Sequence, residues 1–99
     1  MAYQVIYDIQ GEGLKDSTNV FDQSKEKGAT VIDIFNNYVA NDWITQYDRK
    51  DITETHVEET LVFVSKEKRD EFKADMAAVT TDMSEVSSLT LEIISEEEV

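Results

Sequence analysis

Residues 57–80 read VEETLVFVSKEKRDEFKADMAAVT, and this stretch decides the fold. Val57 through Val64 is rich in β-branched and aromatic residues, which suit a pleated strand. Leu61 and Phe63 lie opposite Val62 and Val64, so both faces are apolar. A strand buried on both faces belongs in the interior of a sheet. Ser65 follows, a good N-cap residue. Phe72, Met76 and Val79 then recur at helical spacing, with Met83 beyond them. Glu67, Asp70 and Glu71 fall in the first turns, where the helix dipole favours acids. The stretch predicts a central strand over 57–64 and a helix over 66–80.

Working outward, Tyr3, Val5, Tyr7 and Ile9 alternate with Gln4, Ile6 and Asp8, which predicts a half-buried strand over 3–9. Gly11 and Gly13 break it. Residues 10–28 are polar except for Leu14 and the pair Val20-Phe21. A structureless loop of that length is uncommon in a small domain, so a short strand or turn at Val20-Phe21 is expected to pin it. Val31, Ile34, Phe35, Tyr38 and Val39 form an apolar stripe that predicts a helix over 30–40, with Thr30 as cap and Asp33 completing a capping box. A strand is expected over 43–48, with Trp43, Thr45 and Tyr47 on one face and Ile44 and Gln46 on the other. Arg49-Lys50-Asp51 is the expected turn, with Ile52 to His56 as the return arm. Leu89, Leu91 and Ile93 alternate in a last strand.

The order is strand, helix, strand, strand, helix, strand. Two interleaved βαβ halves of this kind give the α+β ferredoxin-like arrangement, a four-stranded antiparallel sheet with both helices on one face. An extra strand near Val20-Phe21 is the alternative. Residues 1–94 are expected to form one α+β domain, and residues 95–99 an acidic C-terminal tail in solvent.

Composition narrows the function classes. The chain carries 22 Asp and Glu against 9 Lys and Arg, a formal net charge of -13 over 99 residues. Like charge at this density opposes a compact state, so it either keeps the protein soluble or forms a binding surface. An apolar share of 40% with nine aromatic residues is too high for an acidic disordered tail. With no Cys there is no disulfide, thiolate zinc site or Cys nucleophile. The N-terminus has neither a basic segment nor a long apolar run, so no signal peptide or membrane association is expected. The expected location is the cytoplasm, that of the host cell if a phage encodes the chain.

Sites of chemistry are sparse. His56 is the single histidine. Beside Thr55 and Glu58 it is a candidate general base or pH sensor, although an ordinary strand position explains it more simply. Gly11-Glu12-Gly13 follows a strand as a phosphate-binding turn does, but Asp16 would repel a phosphate there. Neither a Walker motif nor a nucleophile elbow is present. No enzymatic activity, cofactor or metal is therefore expected.

The acids remain. Carboxylates at alternate strand positions are roughly 6–7 Å apart, a spacing that can imitate a phosphate row. The densest runs are 48–59 and 82–98. A partner-binding face is expected at Asp48, Asp51, Glu54, Glu58 and Glu59, joined by Glu92, Glu96 and Glu97. Small size, an acidic coat and the acids from Asp48 to Glu59 resemble the small DNA-mimic inhibitors of bacteriophages and mobile elements. The resemblance is one of composition and pattern, with no motif aligned and no family site carried over. It implies a non-enzymatic inhibitor that occupies the basic groove of a nucleic-acid-binding protein, such as a host defence or transcription protein.

Direct nucleic-acid binding is not expected, because it needs the opposite charge. A second reading is a structural or accessory subunit that forms a homodimer through its sheet, using Trp43 and Tyr47. A third is a small enzyme or ligand binder working in the cleft between sheet and helices.

Overall fold

A computed structural model describes residues 1–11, 30–78 and 90–99, the side chains of 30–32, 90 and 91 excepted. Six elements follow in chain order: β1 (Tyr3–Gln10), α1 (Thr30–Ala40), β2 (Ile44–Thr53), β3 (His56–Phe63), α2 (Lys66–Ala77) and β4 (Thr90–Glu98). The strands form one antiparallel sheet in the order β2-β3-β1-β4. This is the ferredoxin-like arrangement expected from the element order. The Val20-Phe21 alternative lies outside the described residues, as do Val79 and Met83.

Both helices pack on the same face of the sheet. Tyr3, Val5 and Ile9 of β1, Ile44 of β2, and Val57, Leu61 and Phe63 of β3 meet Phe35 and Tyr38 of α1 and Phe72 of α2 in one core. Phe72 touches the rings of both Phe63 and Tyr38, at centroid distances of 5.3 and 5.1 Å, and so locks α2 to sheet and α1 together. The apolar double face of β3 is explained by its place between β2 and β1. Val62 is buried even though it lies on the face away from the helices. On α1 the stripe holds at Ile34, Phe35 and Tyr38, but Val39 is exposed.

The helix ends show how the chain turns without Pro. The Ser65 hydroxyl accepts from the Lys68 amide at 3.2 Å, the N-cap expected from sequence. At the end of α1, the Trp43 amide donates to the Tyr38 carbonyl and the Asp42 amide to the Val39 carbonyl. These two bonds make a Schellman motif, and Asp42 takes the left-handed conformation it requires, at φ 57°. Glycine fits there without a Cβ clash. An Asp42→Gly variant should therefore gain about 0.5–1 kcal/mol in urea unfolding; an unchanged or lower midpoint would show that the aspartate is not strained.

Three expectations are corrected. β2 runs on to Thr53, and the hairpin turns at Glu54-Thr55 instead of Arg49-Lys50-Asp51. The alternation predicted for 43–48 breaks because Thr45 is an extra residue: Ile44 pairs with Phe63 and Gln46 with Val62. The bulge puts Ile44 and Tyr47 on the same, helix-facing side. Finally, residues 95–98 are not a tail. They continue β4, pairing Ser95, Glu96, Glu97 and Glu98 with Ile6, Val5, Gln4 and Tyr3. Glu96 can lie in the sheet because Tyr3 Oη donates to it at 3.0 Å and Arg69 Nη2 at 2.9 Å.

Candidate functional site

The sheet presents two unlike faces. Toward the helices, the cross-strand row Arg49–Glu59–Tyr7–Ile93 interrupts an otherwise apolar layer. Glu59 shares its face with Val57, Leu61 and Phe63 and is only 1% exposed. A carboxylate this deep must be hydrogen-bonded to persist. Tyr47 supplies a bond, its hydroxyl donating to Glu59 Oε1 at 2.5 Å. Tyr47 is held by an edge contact with Phe35 of α1, centroids 5.3 Å apart.

Tyr7 stands beside Glu59 on β1. Burial pushes its hydroxyl up to about 12; Arg69 opposes that shift, and the charges of Glu96 and Glu59 add to it. Tyr7 thus lies within electrostatic reach of both the Glu59 carboxylate and the buried Arg69 guanidinium. Arg69, 5% exposed, bonds to Glu96 at 2.9 Å and Asp70 at 3.3 Å, tying α2 to the edge strand β4. Across the helix layer, Tyr38 Oη donates to Asp75 at 2.7 Å, and its pKa is raised by burial first and by that bond second. The layer between sheet and helices therefore holds a buried carboxylate that accepts a hydrogen bond from one phenol, with a second phenol next to it.

The open face away from the helices carries the rest of the chemistry. Residues directly opposite each other share a face, so four rows can be read across β2, β3, β1 and β4. The first is Gln46, Val62, Gln4 and Glu97, and the second Asp48, Thr60, Ile6 and Ser95. The third is Lys50, Glu58, Asp8 and Glu92, and the last Thr53, His56 and Gln10. His56 Nε2 meets Asp8 Oδ1 at 2.5 Å, and Gln10 donates to the other Asp8 oxygen at 3.2 Å. The bond to His56, more than that from Gln10, holds the Asp8 carboxyl below the usual range. His56 is thus a half-buried partner of Asp8, not a bare strand residue.

The eight acids expected to bind a partner do not form one face. Asp48, Glu58, Glu92 and Glu97 lie on the open face. Asp51 is exposed on the helix-facing side of β2 and pairs with Arg49 at 2.8 Å, and Glu54 is exposed at the hairpin turn. Glu59 and Glu96 are corrections. Glu59 is buried in the core, and Glu96 is engaged by Arg69 and Tyr3, so neither offers a free carboxylate to a partner. Sequence reasoning missed Asp8, Tyr7, Tyr47 and Arg49 as site residues. A signal for Glu59 was present: it is an acid in phase with Val57, Leu61 and Phe63.

No family model matches the chain, and no curated protein matches it. Solved structures share its fold. A dimeric ferredoxin-like protein from an uncultured marine organism superposes with a TM-score of 0.60 at 6% identity, covering 100% of this chain and 94% of that one. SnoaB from Streptomyces nogalater, a cofactor-independent oxygenase, gives 0.58 at 6% identity over 99% and 95%. A Caulobacter crescentus protein named after the antibiotic biosynthesis monooxygenases gives 0.53 at 14% identity over 98% and 91%. At these identities the likeness is one of fold. It nevertheless corrects the expectation of no enzymatic activity, since the same frame carries a protein named as a cofactor-independent oxygenase. Among the described residues no helix is long and apolar enough to cross a membrane.

Proposed function

We propose that this chain is a small homodimeric enzyme that moves a proton on a small organic molecule held between the sheet and the helices. The observation that carries the reading is Glu59. An ionisable carboxylate inside an apolar layer is costly, and such costs are concentrated at functional sites. Glu59 accepts a proton from a C–H or O–H of the substrate, and the electron pair stays on the substrate as an anion. Tyr47, released from Glu59, and Tyr7 are the hydroxyl donors placed to stabilise that anion. The layer around Glu59 is apolar, with Val5, Leu61 and Phe35 in its core, and suits an organic molecule better than a sugar or a nucleotide. Two of the similar folds named above belong to proteins named as an oxygenase and after monooxygenases, which supports a small-molecule role.

The homodimer part of the reading rests on the open face. Its centre, Val62, Ile6, Thr60 and Gln4, is uncharged, and a four-stranded sheet with both described helices on the other face offers a natural pairing surface. The dimeric ferredoxin-like neighbour supports this.

The binding test is a thermal-shift screen with a panel of small aromatic and carbonyl acids. Stabilisation by a panel member that is lost in Tyr47→Phe supports the site. Stabilisation by none, or an equal effect in both proteins, argues against it.

A specific observation keeps a second reading for the open face: among the described residues it sets Asp8, Asp48, Glu58, Glu92 and Glu97 against Lys50 and His56. Such a face would suit a basic nucleic-acid-binding protein, bound with steep salt dependence. On that reading Lys50→Glu strengthens capture of the partner. On the homodimer reading the same substitution weakens self-association.

A further inference from the structure

We infer that Arg69 and Tyr3 form a binding site for the carboxylate of a small organic acid, and that Glu96 of β4 fills it as an internal substitute for that acid. The inference goes beyond the Glu59 reading and does not depend on it. Arg69 on α2 is 5% exposed and Tyr3 on β1 is 7% exposed. The guanidinium carbon lies 5.8 Å from the centre of the Tyr3 ring. Both residues aim their donors at one carboxylate: Arg69 Nη2 donates to Glu96 Oε2 at 2.9 Å, and Tyr3 Oη donates to Oε1 at 3.0 Å. Each oxygen has its own donor, an arrangement that recognises the shape of a carboxylate as well as its charge. Arg69 also bonds Asp70, at a longer 3.3 Å, and that acid points into solvent. Glu96 is therefore the closer counter-charge of a buried cation, which is costly to leave unpaired.

The acid that fills the site is held less firmly than the site itself. The Glu96 side chain is 38% exposed, against 6% for that of Arg69. β4 is an edge strand, and none of its residues joins the described core. The ladder to β1 also shifts register between Ile93 and Ser95, so Glu96 sits on the short segment beyond that irregularity. A solvent-reachable acid on a strand outside the core is one that another carboxylate can replace. The buried guanidinium stays where it is.

The neighbours of Glu96 set the class of acid. On the helix-facing side of the sheet, Glu96 lies opposite Val5, and Ile93 lies opposite Tyr7. Ile93 is on that side and yet 40% exposed. Tyr7 feels the charges of both Arg69 and Glu96, so its phenol borders the same cluster. The carboxylate site thus opens onto an apolar and aromatic margin. That margin suits an acid with an apolar or aromatic body better than a sugar acid.

Benzoate is the probe, and benzamide is its uncharged counterpart. Each is titrated into the full chain by calorimetry at fixed pH and ionic strength, with far-UV circular dichroism to show that each variant folds. A tethered group competes at an effective concentration of roughly millimolar or more, so wild type should bind benzoate weakly. Glu96→Ala should bind it about tenfold or more tightly than wild type, with no such gain for benzamide. Adding Tyr3→Phe should weaken that binding about fivefold, and adding Arg69→Met should remove it. Glu96→Gln serves if the alanine variant does not fold, and it too should bind benzoate more tightly than wild type. Tyr3→Phe, which keeps the ring, carries the test if Arg69→Met does not fold. Equal affinity of wild type and the Glu96 variants, no binding by a folded Glu96 variant, or binding undiminished by loss of the Tyr3 hydroxyl overturns the inference. Glu59 and Tyr47 are intact in every variant, so such a result leaves the Glu59 reading standing.

Discussion

Phe63→Ala should leave the domain barely folded. Phe63 is fully buried and lies on the central strand β3, between Tyr3 of β1 and Ile44 of β2 in register. Its ring meets Phe72 of α2, so one side chain joins three strands to a helix. Truncating a buried Phe to Ala costs about 3–5 kcal/mol, because the surroundings collapse only partly into the space left. A domain this small holds roughly 5–10 kcal/mol in total, so the loss removes a large share of it. Urea unfolding followed by Trp43 fluorescence should show the midpoint falling by a third or more. Val64, one residue on, is half exposed at 45%, and Val64→Ala should change stability by no more than about 0.5 kcal/mol. Similar losses for the two variants would mean that β3 does not sit with Phe63 turned inward.

The second large effect concerns Glu59. In Glu59→Ala the Tyr47 hydroxyl loses a buried acceptor while a small cavity opens. Leaving one buried donor unsatisfied costs about 1–3 kcal/mol. Glu59→Gln keeps an acceptor oxygen for Tyr47 at almost the same place and should cost less than about 1 kcal/mol. Removing both partners, in Glu59→Ala with Tyr47→Phe, should cost less than the sum of the two single losses, since the Tyr47 hydroxyl is then no longer left without its acceptor. Additive losses across that cycle would show that the Tyr47–Glu59 bond carries no coupling.

The frame was legible in the sequence wherever the hydrophobic period was undisturbed. β1, β3, the Ser65 cap and the stripe of α1 all follow from residue spacing, and the order of elements then leaves few topologies. What was not legible comes from interruptions of the period. The extra residue at Thr45 shifts the phase of β2, and without it Tyr47 cannot be placed beside Glu59. Residues 95–98 look like solvent-exposed acids, yet the pairing of β4 with β1 and the charge of Arg69 hold them in the sheet. Arg69 looks like one more cation on a basic helix, and only its burial shows otherwise. The candidate site was hidden for a related reason: its members come from β1, β2 and β3, so no short motif contains them. Composition drew attention to the number of acids, whereas the acid of the candidate site is the one the solvent does not reach.

The proposed activity requires that Glu59 move a substrate proton. The direct measurement is hydrogen–deuterium exchange at acidic C–H positions of a small aromatic and carbonyl compound panel, followed by proton NMR in heavy water. Wild-type protein should speed exchange in at least one compound, and Glu59→Gln should lose about 100-fold or more of that rate while unfolding at nearly the wild-type midpoint. No acceleration in any compound, or equal rates from the two proteins, would contradict the account and make Glu59 a buried structural acid.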